Sequence, residues 1–134
     1  MARKRFAPTD PREWLNRARS NLRRARRAIR GVYLEDLCFD AQQGAEKAIK
    51  ALFVQRALRF PYVHDLARLL ALLESSGLKV PKYVKKANQL TPYASETRYP
   101  GVSGPVTPRE HQRAVRIAES VLRWAARQIE GRSP

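Results

Sequence analysis

The apolar spacing between residues 15 and 32 restricts this chain more than any other feature. Leu15, Ala18, Leu22, Ala25, Ile29 and Val32 recur at intervals of 3, 4, 3, 4 and 3. That is one face of an α-helix, whereas a half-buried strand would alternate with a period of two. Asp10-Pro11-Arg12-Glu13 supplies the start: an Asp to cap the first free N–H groups, Pro at the first helical position, and Glu three residues after the cap. Gly31 predicts the end.

The same reasoning extends along the chain. A second helix is expected from about Glu35 to Leu58, with Leu37, Cys38, Ala41, Ala45, Ala48, Ile49, Leu52 and Phe53 in a wide apolar stripe. Its small residues Ala41, Gly44, Ala45 and Ala48 allow close approach, so it reads as the central helix and, with Trp14, as interface material. Gln42 and Gln43 fall on or near the stripe, either as amides bonded in packing or as ligand contacts. A third helix opens near His64-Asp65, carries Leu66, Leu69, Leu70 and Leu73, and stops at Ser76-Gly77-Leu78, with Gly77 left-handed. A shorter one follows Pro81, with Val84, Ala87 and Leu90 inward. Residues 92–106 look irregular. Thr107-Pro108-Arg109-Glu110 then repeats the starting signature for a last helix ending at Gly131. No stretch reads as a strand. The expected fold is all-α, an up-and-down antiparallel bundle of four to five helices. It forms a single domain over residues 10–131, behind a flexible basic segment at 1–9.

Charge narrows the partners. The net charge is +15, and residues 1–30 hold eleven Lys/Arg against Asp10 and Glu13. A basic segment of this kind suits an anionic partner, nucleic acid or an acidic protein; the other reading is that the excess of Arg, 20 of the 27 basic residues, reflects genome composition or life at high temperature. The single Cys38 cannot form an intrachain disulfide, which fits a reducing, cytoplasmic setting. No apolar run is long enough to span a membrane. Walker-type loops, zinc-spaced Cys/His clusters and Ser-nucleophile motifs are absent, so no metal or cofactor is expected.

The densest polar stretch is the junction Arg56 to Leu66. His is the residue type that exchanges a proton near neutral pH, and Arg59 lies five positions before His64 across a turn shaped by Pro61. Such a pair suits phosphodiester chemistry: imidazole moves the proton of a ribose hydroxyl or leaving oxygen, guanidinium steadies the phosphorane, and Asp65 could orient the ring. The other reading is that His64 and Asp65 only cap a helix. A second constellation, Glu96-Thr97-Arg98-Tyr99-Pro100, offers a guanidinium for phosphate and a ring for base stacking. His111 is expected at the surface, and Cys38 and Trp124 in helix packing.

Phe39-Asp40-Ala41-Gln42-Gln43-Gly44-Ala45-Glu46-Lys47-Ala48-Ile49-Lys50-Ala51-Leu52 resembles the second-helix signature of HEPN domains. Phe60-Pro61-Tyr62-Val63-His64-Asp65-Leu66 resembles the start of their third helix, and Tyr93 through Tyr99-Pro100 their late Arg-Tyr-Pro loop. The resemblance implies an all-α bundle, usually a homodimer. It also implies, for many members, an RNase whose Arg and His, four to six residues apart, form a composite site in the dimer cleft. Arg59 and His64 match that spacing, while alignment on the Phe-Pro and His-Asp-Leu landmarks points to Arg56 instead. Small members are often toxins paired with a minimal nucleotidyltransferase. The Tyr that such a partner modifies in some of them is Leu66 here. Other members bind nucleotides without catalysis.

Overall fold

Residues 4–95 and 104–131 are described by a computed structural model of the chain. They contain α1 (Pro11–Ala25), α2 (Leu34–Gln55), α3 (Leu66–Ser75), the single turn α4 (Lys82–Lys85) with a 3-10 helix directly after it (Lys86–Ala94), and α5 (Pro108–Glu130). No strand occurs among the described residues.

The expected caps are built as written. The Asp10 side chain accepts from the Arg12 amide at 2.9 Å, and the Asp65 side chain from the Arg68 amide at 3.2 Å. Thr107 and Glu110 close a reciprocal box: Thr107 Oγ1 accepts from the Glu110 amide, and the Glu110 carboxylate from the Thr107 amide. Gly77 and Gly131 take the left-handed conformation that ends α3 and α5.

Helix α2 is the central element, packed most extensively against α1 and next against α5. Ala41, Ala45, Ala48, Ile49 and Leu52 have no exposed surface. Gly44 lets α1 approach: a Cβ there would lie 3.3 Å from the Ala18 carbonyl oxygen and from Leu22 Cγ. The small-residue face expected at an interface is therefore used up within the chain. Trp14 is likewise only half-exposed, with its indole N–H donating to the Pro8 carbonyl at 2.8 Å.

Helix α1 ends at Ala25, not at Gly31 as its periodicity predicts. The last bond of α1 runs from Arg26 N–H to Leu22 O, and His111 of α5 donates from Nε2 to the Ala25 carbonyl at 2.6 Å, so tertiary packing supplies the donor that a further helical turn would have supplied. Gly31, at φ +82°, serves the loop instead. Ile29 and Val32 are left 45% and 38% exposed. His111, expected at the surface, is buried. Helix α2 also stops short of Leu58. Its end is a two-bond cap, with Leu58 N–H to Phe53 O at 2.8 Å and Ala57 N–H to Val54 O at 3.1 Å. Ala57 pays for it with φ +55°.

The basic N-terminal residues from Lys4 onward lie along α1. Phe6 N–H donates to Glu13, and Asn16 donates to the Lys4 carbonyl, both at 2.9 Å. Helix α3 and the 3-10 helix close one end of the bundle, joined where the Leu66 amide donates to Thr91 Oγ1 at 3.2 Å.

Candidate functional site

The junction between α2 and α3 is pinned from below by Phe60. Its ring meets Trp14 of α1 edge-on at 5.4 Å and Phe53 of α2 at 5.9 Å. Lys50 Nζ stands 4.8 Å from the same ring. With Phe60 anchored, Arg59, Tyr62 and His64 are turned outward; Tyr62 is 99% exposed.

His64 is held by α2. Its Nδ1 lies 2.8 Å from Glu46 Oε1, and its side chain is 62% exposed while that of Glu46 is 5% exposed. The Glu46 carboxylate has two further partners. Gln42 Nε2 donates to Oε1 and Lys50 Nζ to Oε2, each at 2.9 Å; Gln43 in turn donates to Gln42 Oε1 at 2.7 Å. Burial alone would raise the Glu46 carboxyl above its ordinary value. Hydrogen bonds from His64, Lys50 and Gln42, with the charge of Lys50, outweigh that and hold it lowered. An ionised Glu46 accepts only, so His64 Nδ1 carries the hydrogen. The free ring nitrogen is Nε2, on an exposed imidazole. A buried carboxylate behind an exposed histidine fixes the tautomer and stabilises the imidazolium once a proton is taken up.

The residues expected at the site separate into groups. Asp65 caps α3 and gives its oxygen to the Arg68 amide; the contact to the imidazole comes from Glu46. Arg56 is turned to the far end of α3, where its Nε and Nη2 reach Ser76 Oγ and the Ser76 carbonyl at 3.2 and 2.9 Å. It ties two helix ends together. Arg59 is exposed and makes no hydrogen bond or ion pair with the described residues. Arg98 and Tyr99 lie outside the described residues. Among the described residues no group of three His, Cys, Asp or Glu side chains is placed to hold a metal ion. None of the helices formed by those residues is long and apolar enough to cross a membrane.

Glu46 and Lys50 are the residues that reading the sequence missed. A signal existed. Gln42, Glu46 and Lys50 stand at i, i+4 and i+8, a polar row on a helix that is otherwise almost wholly apolar along its buried faces. Gln42 is fully buried and Glu46 is 4% exposed, so each needs a partner inside the protein.

The comparisons agree with this architecture. The family model for the HEPN domain matches residues 11–129. The crystal structure of TT1696 from Thermus thermophilus is similar with a TM-score of 0.77 and 34% identity, over 88% of this chain and 97% of that one. The crystal structure of ST0689, an archaeal HEPN homologue, is similar with a TM-score of 0.70 and 28% identity, over 90% of this chain and 98% of that one. No curated protein sequence matches the chain significantly. With the family model reaching from α1 through α5 and a 34% identical structure sharing the fold, the chain belongs to the HEPN domain family.

Proposed function

We propose that this HEPN protein is a metal-independent ribonuclease acting through His64. One observation carries the reading: an exposed imidazole whose Nδ1 is bonded to a buried, ionised Glu46. His64 Nε2 takes the proton of a ribose 2′-hydroxyl. That oxygen attacks the adjacent phosphorus, the P–O5′ bond breaks, and the leaving oxygen takes a proton from the imidazolium of His64 in a second copy. The products are a 2′,3′-cyclic phosphate and a 5′-hydroxyl end. Arg59 is the cation for the phosphorane, because Arg56 is engaged with Ser76. The exposed ring of Tyr62 offers a base a stacking surface beside the site, and Arg98 and Tyr99 are the sequence-based choice for further RNA contacts. The active unit proposed is a homodimer.

The test is incubation of the purified protein with RNA in EDTA. Cyclic-phosphate products that vanish in His64→Ala support the reading. No cleavage, or cleavage unchanged in His64→Ala, rules it out.

A second reading, a non-catalytic RNA- or nucleotide-binding module or the partner of a minimal nucleotidyltransferase, is favoured by the cationic face of α1. Arg23 is exposed there, and Arg27 just beyond the end of the helix. It predicts salt-sensitive binding weakened by neutralising those arginines, and co-purification with an acidic nucleotidyltransferase for the partner role. The toxin role belongs to the first reading and stands or falls with RNA cleavage.

A further inference from the structure

A cavity of about 430 Å³ opens beside Trp14, between the N-terminal segment, α1 and α2. Its volume falls in the small-ligand range of roughly 300–1,000 Å³. It is lined by Arg5, Phe6, Glu13, Trp14, Arg17 and Lys47. Three segments of the chain thus each contribute a cation, and two aromatic rings supply apolar wall.

The walls are organised. The indole of Trp14 is oriented by its bond to the Pro8 carbonyl and by the edge contact with Phe60. Phe6 is held by the hydrogen bond its backbone N–H donates to Glu13 Oε1 and by the Arg12 guanidinium, 4.0 Å from its ring centre. Glu13 Oε2 accepts from Arg17 Nε at 2.9 Å, leaving the outer nitrogens of that guanidinium free to donate. Lys47 Nζ donates to Asn21 Oδ1 at 2.8 Å, which uses one of its three hydrogens. Burial, with the charges of Arg17 and Arg24, lowers Lys47 from its ordinary value, so an anion placed against it would relieve repulsion between these cations.

Charge and shape together select the ligand. Among the lining residues three cations face one carboxylate, an excess of two positive charges at the wall. A phosphate monoester, close to doubly negative near neutral pH, balances them; a carboxylate or an internal phosphodiester, with one charge, does not. Two aromatic walls suit a planar heterocycle. We propose that this cavity binds a nucleoside 5′-monophosphate group, its base against Trp14 and Phe6 and its phosphate between Arg5, Arg17 and Lys47. That group is either a free mononucleotide or the 5′-phosphorylated end of a single-stranded RNA. The pocket is independent of catalysis by His64. Only its use as an anchor for the cleaved strand rests on the proposed activity, through the chain of contacts Trp14–Phe60–Lys50–Glu46–His64.

Tryptophan fluorescence tests it, because the second tryptophan, Trp124, is buried and Trp14 dominates any ligand-dependent change. Full-length His64→Ala protein is titrated with AMP, adenosine, and an oligoribonucleotide carrying either a 5′-phosphate or a 5′-hydroxyl. The expected result is saturable quenching by AMP or by the 5′-phosphorylated strand. It should be about tenfold weaker without the phosphate, and lost in Trp14→Phe. Quenching by AMP identifies a free nucleotide as sufficient; quenching by the phosphorylated strand alone identifies an RNA end. Arg17→Gln and Lys47→Gln, checked for native helicity, should each weaken binding by about tenfold. No quenching by either phosphorylated ligand, equal quenching with and without phosphate, or affinity unchanged in both variants overturns the proposal. RNA left intact by the wild-type protein, while AMP quenches, would remove the nuclease and leave the pocket. Cleavage without quenching would do the reverse.

Discussion

His64 Nδ1 and Glu46 Oε1 lie 2.8 Å apart, joining the start of α3 to the middle of α2. One partner is largely exposed and the other is almost fully enclosed. The arrangement places a charge inside the bundle whose outward reach is a single imidazole.

Removing that carboxylate should affect both catalysis and stability. Loss of general acid–base action in His64→Ala is expected to reduce RNA cleavage by roughly a hundredfold or more. Glu46→Gln should reduce it in the same direction, because a neutral amide no longer stabilises the imidazolium. It should also cost about 3 kcal/mol in urea unfolding, since Lys50, with 10% of its side chain exposed, loses its charge partner. Wild-type cleavage by a folded Glu46→Gln protein would remove Glu46 from the mechanism.

Acid unfolding offers an independent reading of the same contact. The Glu46 carboxyl is lowered in the folded state, so the stability it confers is fully present above its unfolded value, roughly 4.3. That stability is lost as pH falls through the folded value. Deleting the imidazole in His64→Ala removes one of the hydrogen bonds that lower it. The acid midpoint followed by circular dichroism should therefore move to higher pH in His64→Ala, and an unchanged midpoint would mean the contact is not maintained in solution.

His111→Phe tests how the end of α1 is satisfied. The Ala25 carbonyl would lose its donor, at a cost of about 1–3 kcal/mol in unfolding free energy. Hydrogen exchange should rise first in the last turn of α1. A variant as stable as the parent would show that the carbonyl finds another donor at no net cost.

Ala57→Gly should make the protein more stable. Ala57 sits at φ +55°, a conformation costing about 1–2 kcal/mol for a residue with a Cβ. Part of the relief is offset by the greater freedom of Gly in the unfolded chain. A net gain of about 0.5–1 kcal/mol is expected in thermal or urea unfolding, with RNA cleavage unaltered. A loss of stability would mean the left-handed cap does not persist in solution.

Much of the bundle is legible in local chemistry. Asp10, Asp65 and the Thr107–Glu110 pair are caps that act within a few residues of themselves, and Gly77 and Gly131 need only their missing Cβ. The repeating apolar positions of α2 and α3 are buried as their spacing predicts. Periodicity over-extends α1 because it continues through Ile29 and Val32, whereas the carbonyl at its end is satisfied by a histidine 86 residues away in the chain.

The candidate site divides along the same line. The sequence by itself singled out His64 and its exposed junction, since a lone histidine between two apolar helices is a local anomaly. It offered two arginines and assigned the orienting role to the neighbouring Asp65. Only the tertiary structure decided that the carboxylate behind His64 is Glu46 and not Asp65, and that Arg56 is engaged with Ser76. Capping depends on covalent proximity, which a sequence displays. The pairing of His64 with a residue 18 positions earlier depends on how α2 and α3 pack, and a buried charge takes whichever partner that packing brings within reach.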